Sequence, residues 1–307
     1  MMIDPVTLIA ALIAASTPIL LAGIGELVVE KSGVLNLGVE GMMIIGAVMG
    51  FMTAVNTGSP ALGFIVGAIG GAGLSLIFGV LTQVLLANQV ASGLALTLFG
   101  LGLAALLGVP YAGINPPLTP DLFPEAMRQI PVVGPILFGH DLVIYLSVLL
   151  VAAVWYTLTR TRVGLVLRAV GESHDAAHAL GYKVIRIRIA AIAFGGACAG
   201  LGGAYLSLVR VPSWTEGMTA GAGWIALALV VFASWKPWRV LLGAYLFGGI
   251  AALQLRLQAA EVGVPVALLD ASPYLITILV LVVISSDRSR AALNAPASLG
   301  KVFHASG

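Results

Sequence analysis

Long apolar stretches separated by short polar joins run the length of the chain, near 7–25, 39–57, 61–85, 91–109, 141–159, 188–209, 218–235, 239–257 and 272–286. Most are about as long as a helix must be to cross a ~30 Å hydrocarbon core. They lack the alternating ten-residue segments of an outer-membrane barrel, and in hydrocarbon every backbone polar group needs an internal partner. The pattern therefore predicts an all-α fold, a polytopic transmembrane helical bundle of about 8–10 spans, nine by this reading. All 307 residues are expected to form one transmembrane domain.

Composition sharpens this. Charged residues make up 9% of the chain and hydrophobic residues 60%, whereas an ordinary soluble domain is about 25% charged. Positions 41–120 hold no Asp, Glu, Lys or Arg. The net charge of +2 comes from scattered basic residues, which excludes a nucleic-acid-binding function. One cysteine, Cys198, allows neither an intrachain disulfide nor a thiolate metal cluster and reads as a small buried hydrophobe. The start, Met-Met-Ile-Asp-Pro, lacks the basic residues of a signal peptide, so the first run is kept as a permanent span.

Nine spans drawn from an external N-terminus place Lys31, Arg160, Arg162, Arg168, Lys183, Arg186, Arg188, Lys236, Arg239, Arg288, Arg290 and Lys301 on the cytoplasmic side. Only Arg128, Arg210 and Arg256 fall outside. That asymmetry predicts an external N-terminus and a cytoplasmic C-terminus. Two long connections stand out. Residues 110–140 carry seven prolines and read as an irregular external cap. Residues 160–188 are basic and contain a short helix signal: Ser173 can cap its start, Ala176 and Ala177 favour helix, and Gly181 suits a left-handed end.

Glycines at small-xxx-small spacing, Gly63, Gly67 and Gly71 on one span and Gly196 and Gly200 on another, read as close helix packing. Glu-Gly-Met occurs at Glu40–Met42 and again at Glu216–Met218, each ahead of an apolar run, once from the inside and once from the outside. Such a pair is read as the mark of an inverted internal repeat, in which broken helices meet near the midplane.

Polar residues at membrane depth are candidates for function. Asn36 and Glu40 lie in a glycine-broken join, Asn88 and Gln89 in an uncharged one, and Thr97 two turns beyond. Glu216 opens the second Glu-Gly-Met string, and Gln254 shares a face with Gln258. These seven are the candidate substrate path. His174 and His178 are spaced to share a helical face, which reads as a solvated or partner-facing surface before a metal site, and no metal ligands are assigned. No Walker, His-Glu-x-x-His or Gly-x-Ser-x-Gly string occurs, so no catalytic residue or resident cofactor is expected.

The strings ELVVEKSGVLNLGVEGMM (Glu26–Met43), NQVASGLALTL (Asn88–Leu98), GLVLRAVGESHDAAHALGYKV (Gly164–Val184), LQLRLQ (Leu253–Gln258) and PYLITILVLV (Pro273–Val282) resemble the permease family of bacterial and archaeal ABC importers for ribose, branched-chain amino acids and nucleosides. They are most similar to its simple-sugar and nucleoside branch. The resemblance implies a non-catalytic permease subunit in the cytoplasmic membrane, with a second permease chain, identical or paralogous, and an ABC ATPase subunit that binds the ATP. An extracytoplasmic substrate-binding protein would deliver the solute. It places the family's coupling helix on Glu172–Leu180, so that Gly164, Arg168, Gly171, Glu172, Ser173, Asp175, Ala176, Ala177, Leu180 and Gly181 form the ATPase-coupling segment. Two departures are visible: Ser173-His174 stands where the family often has Asn-Pro, and Thr97 where Asn is common. The alternatives are a branched-chain amino acid permease and an ion-coupled secondary transporter; the uncharged 41–120 stretch weighs against the latter.

Overall fold

The computed structural model describes residues 4–259 and 294–304, with scattered positions between 265 and 282. Eleven α-helices are present among them: α1 Pro5–Lys31, α2 Val39–Thr57, α3 Pro60–Gly79, α4 Gln89–Gly108, α5 Glu125–Arg128, α6 Leu142–Arg160, α7 Arg162–Glu172, α8 His174–Ala179, α9 Val184–Tyr205, α10 Ala222–Phe232 and α11 Pro237–Ala259. Looser π-turns carry α3 on to Val84 and α9 on to Arg210. Seven of these helices are long and apolar enough to cross a membrane, so the chain is a multi-pass membrane protein.

The helix starts follow capping chemistry. Asp4 accepts from the Val6 and Thr7 amides ahead of Pro5, Asn88 accepts from Ala91 N, and Asp141 accepts from Val143 N. Each side chain satisfies amides that the first helical turn leaves without a partner. Three predicted spans differ in extent, one of them 188–209, whose helix α9 already begins at Val184 and so includes Arg188. The first span of the chain continues past 25 to Lys31, which brings Glu26 and Glu30 into the helix. The run at 218–235 yields only the 11 residues of α10, about 16 Å of helix, half of a bilayer core. The glycine-rich stretch before it folds into turns, with Gly217 and Gly221 in left-handed conformations. The expected span at 272–286 falls, apart from scattered positions, outside the described residues.

Helix α9 sits at the centre against α1, α2 and α3; α4 covers α2, and α11 covers α1. The glycine rows make this possible. Gly46 lies against the backbone of Gly200, Gly71 against Gly196 and Gly200, and Gly25 against Gly195 and buried Cys198. Without a hydrophobic drive between helices in lipid, such close backbone approach supplies the packing energy. A methyl at Gly71 would meet backbone that cannot rotate away, whereas one at Gly73 meets nothing within 4 Å. Gly71→Ala is therefore expected to destabilise the protein by about 1–3 kcal/mol, and Gly73→Ala to leave it unchanged or slightly firmer. Thermal melting of the detergent-solubilised pair checks the contrast.

Candidate functional site

Two polar constructions stand out, both near the end of the bundle where α1 finishes. The first begins where α1 ends at Lys31. Gly33, at φ +88°, turns the chain, and residues 34–38 run back along the bundle before α2 opens. Asn36 holds this turn. Its backbone N donates to Glu26 Oε1 at 3.3 Å and its Nδ2 to Glu26 Oε2 at 3.4 Å, while its Oδ1 accepts from Gly38 N at 3.0 Å. From α4, Gln89 Oε1 accepts from Leu35 N at 2.8 Å, and Thr97 Oγ1 donates to the Leu37 carbonyl at 3.1 Å. Gly41, Gly93 and Gly100 let α4 lie directly on this turn and on the first turn of α2.

Glu40 joins the turn to α10. Its Oε1 accepts from Thr219 Oγ1 at 2.5 Å and Gly221 N at 3.1 Å, and its Oε2 from Gly223 N at 2.7 Å. Gly223 is pressed against the Glu40 backbone, where a side chain would not fit. One buried carboxylate thus lies in the first turn of α2 and receives the leading amides of α10. Anionic charge is stabilised at helix N-termini, and here two converge on the same group.

Asn36, Glu40, Gln89 and Thr97, expected as a path from the sequence, are therefore buried together. The other three lie apart. Asn88 is an exposed cap of α4, Glu216 is exposed in the turns before α10, and Gln254 is half-buried on α11. The Nε2 of Gln89 is the one buried side-chain polar atom in this cluster with no hydrogen-bond partner among the described residues. Sequence reasoning passed over Glu26, Glu30, Thr219 and Trp235. Glu30 accepts a 2.5 Å hydrogen bond from Trp235 Nε1 inside the bundle. A helix running past residue 25 was the signal for the two acids; nothing local distinguishes Thr219 or Trp235.

The second construction is built from α7, α8 and the C-terminal segment. Thr161 caps α7 through Gly164 N, and Ser173 caps α8 through Ala176 N at 3.3 Å. Gly181, at φ +87°, follows the end of α8. Gly164 backs onto Thr157 and Leu158, Gly171 onto the Lys31 carbonyl, and Ala177 joins Val170, Val184 and Phe303 in a small core. Arg168, Glu172, Ser173, Asp175, Ala176, Leu180 and Gly181 face outward, Leu180 with 77% of its surface exposed. The shared face of His174 and His178 is occupied by the Phe303 ring, at 5.4 and 5.3 Å between centroids.

Beneath α8 lies Arg188, fully buried. Its Nε donates to the Ser32 carbonyl (3.2 Å), Nη1 to Gln83 Oε1 (3.3 Å) and to the Lys301 carbonyl (3.2 Å), and Nη2 to His174 Nδ1 (3.2 Å). Burial, and then the neighbouring guanidinium, holds the His174 ring below its ordinary pKa, which keeps Nδ1 free to accept. A cavity of about 560 Å³, lined by Val28, Leu150, Thr157, Arg162, Ile187 and Phe194 among others, is almost wholly apolar and shares no residue with the Asn36 and Glu40 cluster.

Comparison with known proteins decides the class of this multi-pass bundle. Residues 8–284 match the family described as the permease component of branched-chain amino acid transport systems. The chain belongs to that family. This permease is 45% identical over 82% of its length to the putative glucose ABC transporter permease protein TsgC13 of Haloferax volcanii, covering 78% of that protein. It is 34% identical to the nucleoside ABC transporter permease protein NupC of Lactococcus lactis subsp. cremoris, across 89% of this permease and 90% of the relative. The guanosine ABC transporter permease protein NupQ of Bacillus subtilis is 31% identical over the same shares. No solved structure matches the permease.

Proposed function

We propose that this permease is the membrane-spanning subunit of an ATP-binding-cassette importer that translocates a nucleoside or simple sugar. It works in a bacterial or archaeal cytoplasmic membrane with its N-terminus outside and its C-terminus in the cytoplasm. Relatives named for glucose, nucleoside and guanosine transport support the solute class, and the distribution of basic residues supports the orientation.

The observation that carries the reading is α8. A capped six-residue helix presents Ser173, Asp175, Ala176 and Leu180 outward while Gly171 and Ala177 seat it on the bundle. The exposed Leu180, flanked by the polar Ser173 and Asp175, gives a projecting edge that a partner's groove can enclose. In this reading an ATPase subunit grips α8, with Gly164, Arg168, Glu172 and Gly181 framing the grip, and residues 160–188 form the cytoplasmic coupling loop. Residues 110–140 cap the external side, where an extracytoplasmic binding protein delivers solute, and a second permease chain completes the pathway. ATP is held by the partner and not by this chain.

Asn36, Glu40, Gln89 and Thr97 then shape the wall of the path, with Asn88, Glu216 and Gln254 towards its ends. Gln89 Nε2, which has no partner among the described residues, suits donation to a solute hydroxyl or carbonyl once the bundle opens, since a buried donor left unpaired costs about 1–3 kcal/mol. Replacing residues 172–180 by a Gly/Ser linker is expected to abolish ATP-coupled uptake in vesicles containing the ATPase and binding protein. Uptake persisting at full rate would overturn the role given to α8.

A further inference from the structure

Resting on that reading of α8, we propose that residues 294–304 act as a strap that carries displacement of α8 to the turn between α1 and α2. A six-residue helix at a protein surface, joined to its neighbours by short loops, can rock without moving the helices beyond it. Transmission needs a rigid link to something deeper, and the strap supplies one.

Its contacts are continuous from one element to the next. Lys31 Nζ donates to the Asn294 carbonyl at 2.9 Å, next to the end of α1. Ser298 N donates to the Gly171 carbonyl at 2.8 Å, and Ser298 Oγ to the Glu172 carbonyl at 3.2 Å, at the joint of α7 and α8. Gly300 N donates to the Gly33 carbonyl at 3.2 Å, inside the α1–α2 turn. The Lys301 carbonyl accepts from Arg188 on α9, and Phe303, 5% exposed, is wedged between the two α8 histidines.

Six residues, 298–303, therefore bind the moving helix and the turn at once. Gly33 lies three positions before Asn36, which fixes that turn to Glu26, and seven before Glu40, which reaches α10. The space at Gly33 is closed: a methyl there would lie 2.9 Å from Arg188 Nη2 and 3.3 Å from the Ser298 carbonyl. Arg188 touches the strap, the turn and α8 through one planar group, so the three move as a unit.

The test uses the full transporter reconstituted in liposomes, with radiolabelled guanosine and glucose as probes. One variant lacks residues 295–307; the other, Phe303→Ala, keeps every backbone bond of the strap and removes only the wedge, and it serves if the truncated chain fails to fold. In the folded variants, assembly with the ATPase and basal hydrolysis should persist, while solute carried per ATP falls about tenfold, a size typical of coupling between distant sites. An unchanged ratio would overturn the strap, as would parallel loss of hydrolysis and uptake, which would make the segment part of the docking surface instead. Failure of the unaltered chain to assemble with any ATPase would overturn the reading of α8 and this inference with it.

Discussion

Glu40→Ala should leave the permease poorly folded. The substitution orphans Thr219 Oγ1, Gly221 N and Gly223 N together, all of which converge on that carboxylate. Each buried donor without a partner costs about 1–3 kcal/mol, so the loss is roughly 3 kcal/mol or more, a large part of a stability that is commonly about 5–15 kcal/mol. Glu40→Gln keeps the shape and one acceptor oxygen but places an amide donor against other donors, so it should fall between the parent and Glu40→Ala. Melting temperature and monodisperse yield in detergent measure the series. Equal stability of Glu40→Ala and the parent would show that the join between α2 and α10 does not depend on this group.

The other large effect is expected at Arg188. Truncation to alanine removes the donor shared by the Ser32 carbonyl, Gln83 Oε1, the Lys301 carbonyl and His174 Nδ1. Hydrogen bonds from a charged donor are worth about 1.5–3 kcal/mol each. Deleting the buried cation does recover some desolvation energy, but four acceptors from four segments are left behind, so Arg188→Ala should cost of order 3 kcal/mol. Arg188→Lys keeps the charge on a compact ammonium with three donors and cannot span the same four acceptors; partial recovery is expected. Limited proteolysis offers a local reading, since cleavage within 294–304 should accelerate in the order parent, Lys, Ala. A segment equally resistant in all three would mean that Arg188 does not hold it down.

Much of the helical plan follows from patterning alone. Runs near 39–57, 61–85, 91–109, 141–159 and 239–257 lie within two residues of the observed helix starts, because an apolar run in hydrocarbon has no competing backbone arrangement. The cap at Ser173 and the left-handed Gly181 were legible because both act on neighbouring backbone. The extent of α10 was not: 218–235 is apolar throughout most of its length, and hydropathy registers composition without regard to where glycines turn the chain. Within the polar candidates, Asn36 and Glu40 announced themselves by sitting in a glycine-broken join. Glu26, Thr219 and Arg188 did not, since their roles depend on partners 10 to 179 residues away along the chain.

By itself the amino-acid order determined that this protein lives in a membrane, where most of its long described helices run, and where a short capped helix projects, because each of these depends on solvent preference or on contacts a few residues long. Only the tertiary structure decided that Glu40 ties α2 to α10, that Arg188 ties α8 to the turn after α1, and that the C-terminal segment lies across both. Those outcomes require distant groups to meet with buried donors and acceptors matched in number and direction, and neither hydropathy nor periodicity along the chain encodes which partner a lone polar residue will find.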